Sequence, residues 1–225
     1  MLGRLIFLAS ALLFSSTSVR AEDLAELMLK CAPNVHPITL RAIVKTESSG
    51  RMYVLLDNGP KDLPFSVRKT MLRTIYPDNA QEAASIANNL IAQGHLVDIG
   101  LTQINSRNLP GLGLTVEQAL DPCVNLHAGG MILTNFYTNA TKQYKDQQSA
   151  LLAAISAYNT GDFERGFTNG YVNTVVKNAG ASVPELLTTG PRSAGTGRVA
   201  KMGVRRGQGS GLLEAKFSEL EVDFH

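Results

Sequence analysis

The sequence predicts a mainly α-helical domain of the α+β class with a small β-hairpin, followed by a disordered C-terminal tail. Three observations support this prediction. Apolar residues recur at helical spacing from about residue 22 to residue 180, whereas residues 52–67 contain two β-prone runs around a turn. Beyond residue 180 the composition changes to glycine, serine, threonine and basic residues. A chain of 225 residues is long enough for one sizeable core and such a tail.

The first 21 residues are predicted to be a secretory signal peptide. Arg4 precedes an apolar run over residues 5–14 that is too short to cross a bilayer. Residues 19–21 end in alanine and satisfy the small-residue rule for cleavage. An uncleaved anchor is the alternative. We therefore expect export to the periplasm, a mature domain over residues 22–180, and no stable membrane insertion after cleavage.

Helical periodicity and end signals account for most of the domain. Asp78 and Gln81 resemble a capping box, and Gly94 is placed to end the helix that they begin. Gly129 and Gly130 either weaken their helix or allow another backbone to approach it closely. The predicted helices span residues 25–31, 37–49, 78–94, 122–139, 147–159 and 167–177.

The hairpin is predicted from two β-prone runs, residues 52–56 and 63–67. Between them lies Asp57-Asn58-Gly59-Pro60, which is a strong turn signal. This turn accounts for Asp57. The hairpin would wall one side of a groove, because it directly follows the helix over residues 37–49.

That helix carries the candidate catalytic residue, Glu47. Leu40, Ile43, Val44 and Glu47 share one face at i, i+3, i+4 and i+7. Desolvation and the negative end of the helix dipole both favour the neutral carboxyl group, which suits a general acid near neutral pH. The alternative is a boundary glutamate paired with a lysine or arginine.

Two cysteines, Cys31 and Cys123, remain in this exported chain. An even pair in an oxidising compartment predicts one disulfide. Two separated cysteines and four scattered histidines do not offer a metal site. A formal charge of +2 with no basic patch in the domain gives no reason to expect nucleic acid as a partner.

Four short motifs follow one another between residues 31 and 176. They are Glu47-Ser48, the run over residues 100–105, Ala157-Tyr158-Asn159, and Tyr171 in a Gly-Tyr-Val context. In this order they resemble the motifs of the soluble lytic transglycosylase family. The VirB1-like branch of that family, from type IV secretion and conjugation machines, is the most similar, since residues 82–101 resemble its alanine-rich helix and Gly-His-x-x-Asp-Ile-Gly-Leu stretch.

The resemblance implies a lysozyme-like fold, no cofactor, and cleavage of peptidoglycan between N-acetylmuramic acid (MurNAc) and N-acetylglucosamine (GlcNAc). One glutamate, here Glu47, would act as acid and then as base, and a 1,6-anhydro ring would form without water. Asp98 is the nearest candidate for a second carboxylate, although we favour an N-cap or turn role for it. The resemblance also implies a cellular role, in which the enzyme opens the cell wall locally so that a secretion or conjugation apparatus can assemble.

The remaining motif residues take substrate-binding roles by resemblance. Ser48 would bond the reacting sugar or the acid, and a helix C-terminal hydroxyl is the alternative. Gln103 would offer its amide to the acetamido group. Tyr158, beside Asn159, would stack on a sugar or else belong to the core. Tyr171 would orient Glu47 through its phenol.

The sequence departs from the family pattern at two places. Thr102 stands where the family has methionine, which shrinks an apolar contact and alters either the desolvation of the acid or a saccharide subsite. Residues 51–53 replace the family's common Asn-Pro turn after the Glu-Ser pair, which puts the adjacent groove wall in doubt.

The tail over residues 181–225 has two parts. A basic Gly/Ser-rich linker is followed by an amphipathic stripe with acidic residues around it. The stripe either caps its own domain or docks on a type IV secretion subunit. Its apolar members are Leu213, Phe217, Leu220 and Phe224.

Two other functions compete with lytic transglycosylation. One is a hydrolytic muramidase on the same fold, which would need a positioned water and usually a second carboxylate. The other is a glycan-binding assembly factor that recruits secretion subunits through its tail.

Overall fold

The computed structural model describes residues 22–180 and 183–184, which form a mainly helical domain with one four-stranded antiparallel sheet. This confirms the predicted class. The helices are α1 (Glu22–Cys31), α2 (Pro37–Glu47), α3 (Phe65–Arg68), α4 (Ala80–Ala92), α5 (Leu109–Leu112), α6 (Val116–Ala119), α7 (Pro122–Ala140), α8 (Gln147–Thr160), α9 (Arg165–Thr168) and α10 (Tyr171–Ala179). The strands are β1 (Leu55–Pro60), β2 (Arg73–Ile75), β3 (His95–Ile99) and β4 (Ile104–Asn105).

The sheet has the order β2-β1-β3-β4, and it corrects the predicted hairpin. The second predicted strand, residues 63–67, mostly forms α3, which begins after Pro64. The predicted turn residues lie within β1 itself. Asp57 accepts a hydrogen bond from the Gly59 N–H, as in a turn, but its carboxylate also pairs with His95 of β3 and Arg73 of β2. These pairings across the sheet hold the segment as a strand with an irregular register between Asp57 and Pro60.

The core is centred on α7 and α8, whose inward faces are almost entirely buried. Gly129 of α7 lies directly against Thr102, and a Cβ at Gly129 would come within 2.6 Å of the Thr102 Cβ. Gly130 packs against Ala32. The two glycines therefore allow close approach of side chains, whereas the sequence predicts either a weakened helix or the approach of another backbone.

Two helix ends differ from the sequence-based boundaries. Asn79, not Asp78, caps α4 by accepting a hydrogen bond from the Glu82 N–H. The single helix expected over residues 167–177 is divided into α9 and α10, because Gly170 has φ +84° between them. This left-handed residue turns the chain and places Tyr171 in the first turn of α10.

The predicted disulfide between Cys31 and Cys123 is confirmed. It joins the end of α1 to the start of α7 with a Cα–Cα distance of 5.2 Å and a sequence separation of 92. A loop of this length is worth about 4–5 kcal/mol in the chain-entropy account. The bond therefore anchors the N-terminal helix on the central helix of the core.

The described chain ends against α2, where Val183 is buried and the Thr39 hydroxyl donates to the Pro184 carbonyl at 2.9 Å. The predicted signal peptide (residues 1–21) and the amphipathic stripe of the tail lie outside the described residues. Within the described residues, every helix is too short or too polar to cross a membrane.

Candidate active site

Glu47 lies at a cavity of about 190 Å³ between α2, the sheet and the C-terminal end of α8. The sheet contributes residues from β1, β3 and β4, so the cavity depends on strand pairing as well as on helix packing. Of the predicted site residues, Glu47, Gln103, Tyr158 and Asn159 line it.

The carboxyl group of Glu47 is held by Tyr171, whose phenol donates a hydrogen bond to Oε1. Burial raises the pKa of Glu47 to about 7; the Tyr171 hydrogen bond opposes this rise and the negative charge of Asp98 adds to it. No lysine or arginine forms an ion pair with Glu47 within the described part of the chain. The carboxyl group is therefore half protonated near neutral pH, as a general acid that later acts as a base requires.

Asp98 faces the same cavity, which corrects the expected N-cap or turn role. It lies inside β3, opposite Leu56 and Asn105. Its carboxylate accepts hydrogen bonds from Asn58 at 2.8 Å and from Asn105 at 2.6 Å. Burial raises the pKa of Asp98 to about 6, against these two amides and the positive charge of Arg68, which lower it.

Gln103 is the last residue of the short connection between β3 and β4, and its backbone is left-handed with φ +51°. Its Nε2 donates to the carbonyls of Gly100 at 2.8 Å and Val54 at 3.2 Å. Because both donors are bound to backbone acceptors, Oε1 is the atom of this amide that remains to accept from a ligand.

Tyr158 and Thr102 are linked, since the Tyr158 phenol donates to the Thr102 carbonyl at 2.8 Å. The Thr102 side chain is fully buried and bonded to Asn125, against Gly129. It does not line the cavity. The replacement of the family's methionine is thus accommodated in the packing between the β3–β4 connection and α7.

Ser48 is not part of the cavity lining. Its buried hydroxyl donates to the Val44 carbonyl at 2.9 Å and accepts from the Gly50 N–H at 3.2 Å. This arrangement favours the helix C-terminal role that the sequence left open. Asn159 faces the cavity, and its Oδ1 accepts a hydrogen bond from Asn169 at 3.0 Å.

Several cavity residues were missed by sequence reasoning because the segment that carries them was interpreted as a hairpin. The sequence predicts a turn at Asn58 and a strand at Phe65, and Arg68 lies just beyond that predicted strand. For Asp98 a signal was present: Leu96, Val97 and Ile99 predict a strand, and a strand places residue 98 on the face opposite to residues 97 and 99.

Within residues 22–180 and 183–184, no group of three or more His, Cys, Asp or Glu side chains is placed to hold a metal ion. The side chains that line the cavity include two carboxyl groups, several amides, the Tyr158 phenol and two guanidinium groups. Burial and the neighbouring carboxyl charges raise the pKa of both Tyr158 and Tyr171, so both phenols remain donors at neutral pH.

The class of protein is shown by a match to a protein family. The family model described as the transglycosylase SLT domain matches residues 26–179. The chain belongs to the transglycosylase SLT domain family, which confirms the resemblance found in its motifs.

Individual relatives are proteins named virB1. The chain is similar to protein virB1 of Agrobacterium fabrum, with 40% identity over 157 residues, 70% of this chain and 59% of the relative. It is also 37% identical to protein virB1 of Rhizobium radiobacter over 76% of this chain and 67% of the relative. The type IV secretion system protein virB1 of Brucella abortus biovar 1 is 36% identical over 70% of this chain and 64% of the relative. The chain thus spans about three fifths to two thirds of the length of these relatives. No solved structure matches significantly.

Proposed function

We propose that the protein is a peptidoglycan lytic transglycosylase that cleaves the β-1,4 bond between MurNAc and GlcNAc and forms 1,6-anhydro-MurNAc. The observation that carries the proposal is Glu47 at the cavity wall, with a pKa of about 7 and a hydrogen bond from Tyr171. The family match supports the coarser statement that the domain is of the transglycosylase kind.

In the proposed reaction, the protonated carboxyl of Glu47 gives its proton to the glycosidic oxygen as the bond to the anomeric carbon breaks. The acetamido group of MurNAc stabilises the oxocarbenium-like centre. The 6-hydroxyl of the same sugar then attacks the anomeric carbon and returns its proton to the Glu47 carboxylate. The proton balance closes without water, and one residue serves both steps because its pKa lies near ambient pH.

The substrate contacts follow from the cavity lining. Gln103 would accept the acetamido N–H through Oε1, since its Nε2 is held by two carbonyls. Tyr158 and Asn159 lie at the end of α8, where a ring face and an amide can meet a sugar. Tyr171 acts behind Glu47 as a positioning residue.

The cellular role that we propose is local opening of the cell wall in the periplasm for assembly of a type IV secretion or conjugation apparatus. The names of the virB1 relatives support this role. Export would use the predicted signal peptide, and the acidic, apolar stripe of the tail would bind a subunit of the apparatus.

A hydrolytic muramidase is the second candidate, and Asp98 is the observation that favours it. Asp98 supplies a second carboxylate at the cavity of Glu47, as a hydrolase that activates water requires. Under that mechanism the product would be a reducing MurNAc end.

The test is digestion of purified peptidoglycan, with mass spectrometry of the released muropeptides. Anhydro products support the proposal, and hydrated products, heavier by one water, support the muramidase. Glu47→Gln should lower release by at least about 100-fold, because proton transfer by a positioned group is worth about 10²–10⁴-fold. Glu26→Gln, on the exposed side of α1, is the charge-matched control. If Glu47→Gln cuts at more than about a hundredth of the normal rate, the assignment of the acid is wrong; an inactive wild type that still binds glycan would support the assembly factor.

A further inference from the structure

Two arginines line the cavity, and their guanidinium groups differ in what they contact. Arg68 is buried, and it donates through Nε to the Leu63 carbonyl at 3.0 Å and through a terminal nitrogen to the Asn58 carbonyl at 3.1 Å. Its donors hold α3 against β1. Arg107 is half-buried, and within the described residues its guanidinium has neither a hydrogen-bond partner nor an ion pair.

The backbone that carries Arg107 is fixed from two sides. The Arg107 N–H donates to Oδ1 of Asn105 at 3.0 Å, while Nδ2 of the same asparagine donates to Asp98. The next anchor is Ser106, whose hydroxyl accepts from the Val97 N–H at 3.0 Å. Residues 105–107 are therefore tied to β3 by side-chain hydrogen bonds, so the cavity presents this cation from a preorganised position.

The two carboxyl groups at the cavity, Asp98 and Glu47, form no ion pair with Arg107. Both oxygens of Asp98 already accept from amides, and Glu47 is bonded to Tyr171. A half-buried guanidinium beside a substrate cavity, with five N–H donors in a planar fork, is suited to a carboxylate or phosphate of the ligand. On a glycan strand of alternating GlcNAc and MurNAc, the carboxylates are those of the lactyl group on MurNAc and of the peptide attached to it.

We propose that Arg107 recognises a carboxylate carried by the MurNAc residue, and so makes the site selective for acidic glycan strands over neutral ones. The inference rests on the proposed peptidoglycan substrate. The carboxylate has two possible sources, the free lactyl group of strands without peptides and the peptide of strands that carry them. Arg107 is a specificity residue in this scheme and takes no part in proton transfer.

Binding is measured with Glu47→Gln protein, so that no strand is cut during the experiment. Four ligands of equal glycan length are compared by calorimetry: strands with peptides, strands freed of peptides by an amidase, and each of these two after conversion of its carboxylates to neutral methylamides. Arg107→Gln is compared with Arg107→Lys and with Arg41→Gln, which removes the same charge from an exposed position of α2 outside the cavity.

Arg107→Gln should weaken binding of the acidic strands by about tenfold or more, as expected for a lost hydrogen bond to a charged group, and binding of the neutral strands by less than about twofold. Arg107→Lys should recover part of the affinity for the acidic strands, and Arg41→Gln should change it little. If Arg107→Gln weakens binding of the peptide-bearing strands alone, the recognised carboxylate belongs to the peptide. If it weakens binding of the peptide-free strands alone, the recognised carboxylate is that of the lactyl group.

The inference is overturned if Arg107→Gln weakens acidic and neutral strands equally, or if Arg41→Gln has as large an effect. Melting curves of each variant separate lost recognition from lost folding, and a purely structural role would not depend on the charge of the ligand. If the Arg107-containing protein binds none of the four strands, the proposed peptidoglycan substrate fails together with the inference. Equal binding of all four by that protein overturns the inference alone.

Discussion

Glu47 and Asp98 face one cavity from different elements, the last residue of α2 and the fourth residue of β3. Their negative charges oppose each other, and Asp98 contributes to the raised pKa of Glu47. Tyr171 acts in the opposite direction, because its hydrogen bond favours the ionised carboxylate. Burial is the largest cause of the raised pKa of Glu47, and these two neighbours then shift that pKa in opposite directions.

Replacement of Asp98 should move the high-pH limb of activity to lower pH. Asp98→Asn removes a negative charge near Glu47, so the pKa of Glu47 falls and less of the acid is protonated at pH 8. The pH profile of muropeptide release measures this shift. Because the new amide loses one of the two bonds to Asn58 and Asn105, melting curves are needed as a control; an unchanged profile in a folded variant would contradict the coupling.

Replacement of Tyr171 should have the reverse effect on that limb. Tyr171→Phe removes the hydrogen bond that lowers the pKa of Glu47, so the high-pH limb moves to higher pH. The rate at pH 6 should still fall, by about tenfold, since the carboxyl loses a partner worth about 1.5 kcal/mol in orientation. Tyr144→Phe, on a tyrosine outside the cavity lining, is the matched control.

The same carboxyl group should make stability depend on pH. In the folded protein the pKa of Glu47 is raised from 4.5 to about 7. Ionising this buried carboxyl group therefore lowers the free energy of unfolding. The loss is absent below about pH 4.5, grows between pH 4.5 and 7, and is complete above about pH 7. Glu47→Gln should therefore raise the free energy of unfolding above pH 7, by up to about 3 kcal/mol, and change it little at pH 4. Thermal melts at both values measure this, with Glu26→Gln as control; an equal effect at both values would refute it.

Loss of the disulfide should destabilise the domain. The double variant Cys31→Ser/Cys123→Ser frees the end of α1 from α7, and we expect the melting temperature to fall by about 5–15 °C. The reduced wild-type protein should fall by a similar amount. Two free thiols in protein recovered from the periplasm would show that the bond is not formed there.

Removal of the tail should separate glycan cleavage from placement in the cell. A protein that ends at about Gly190 retains the described domain and should keep its specific activity in vitro, while activity in a conjugation or secretion assay is lost. Phe217→Ser with Leu220→Ser in the full chain should reproduce the loss in the cell alone. If truncation abolishes muropeptide release by the purified protein, the stripe belongs to the enzyme itself.

Sequence patterns and motifs predicted the position of Glu47 and the disulfide, whereas residues brought together by strand pairing were misassigned. The helical spacing of α2 together with the family motifs indicated Glu47, which the structure places at the cavity, and the even pair of cysteines predicted the bond between Cys31 and Cys123. Asn58 and Asp98 were misassigned because they are 40 positions apart in the chain. The hydrogen bond between their side chains forms only when β1 pairs with β3. The apolar pattern predicts one helix over residues 167–177, but the left-handed backbone of Gly170 ends α9 and starts α10. Helical spacing of apolar residues does not reveal such a break.

The hydrogen bond between Tyr171 and Glu47 spans 124 positions of the chain and joins α10 to α2. A polypeptide that has not yet reached α10, or one that has lost it to a protease, possesses the acid but not the phenol that donates to it. Completion of the candidate site therefore requires that nearly the whole domain has been synthesised and folded. Under the proposed function, glycan cleavage is delayed until α10 has packed against α2.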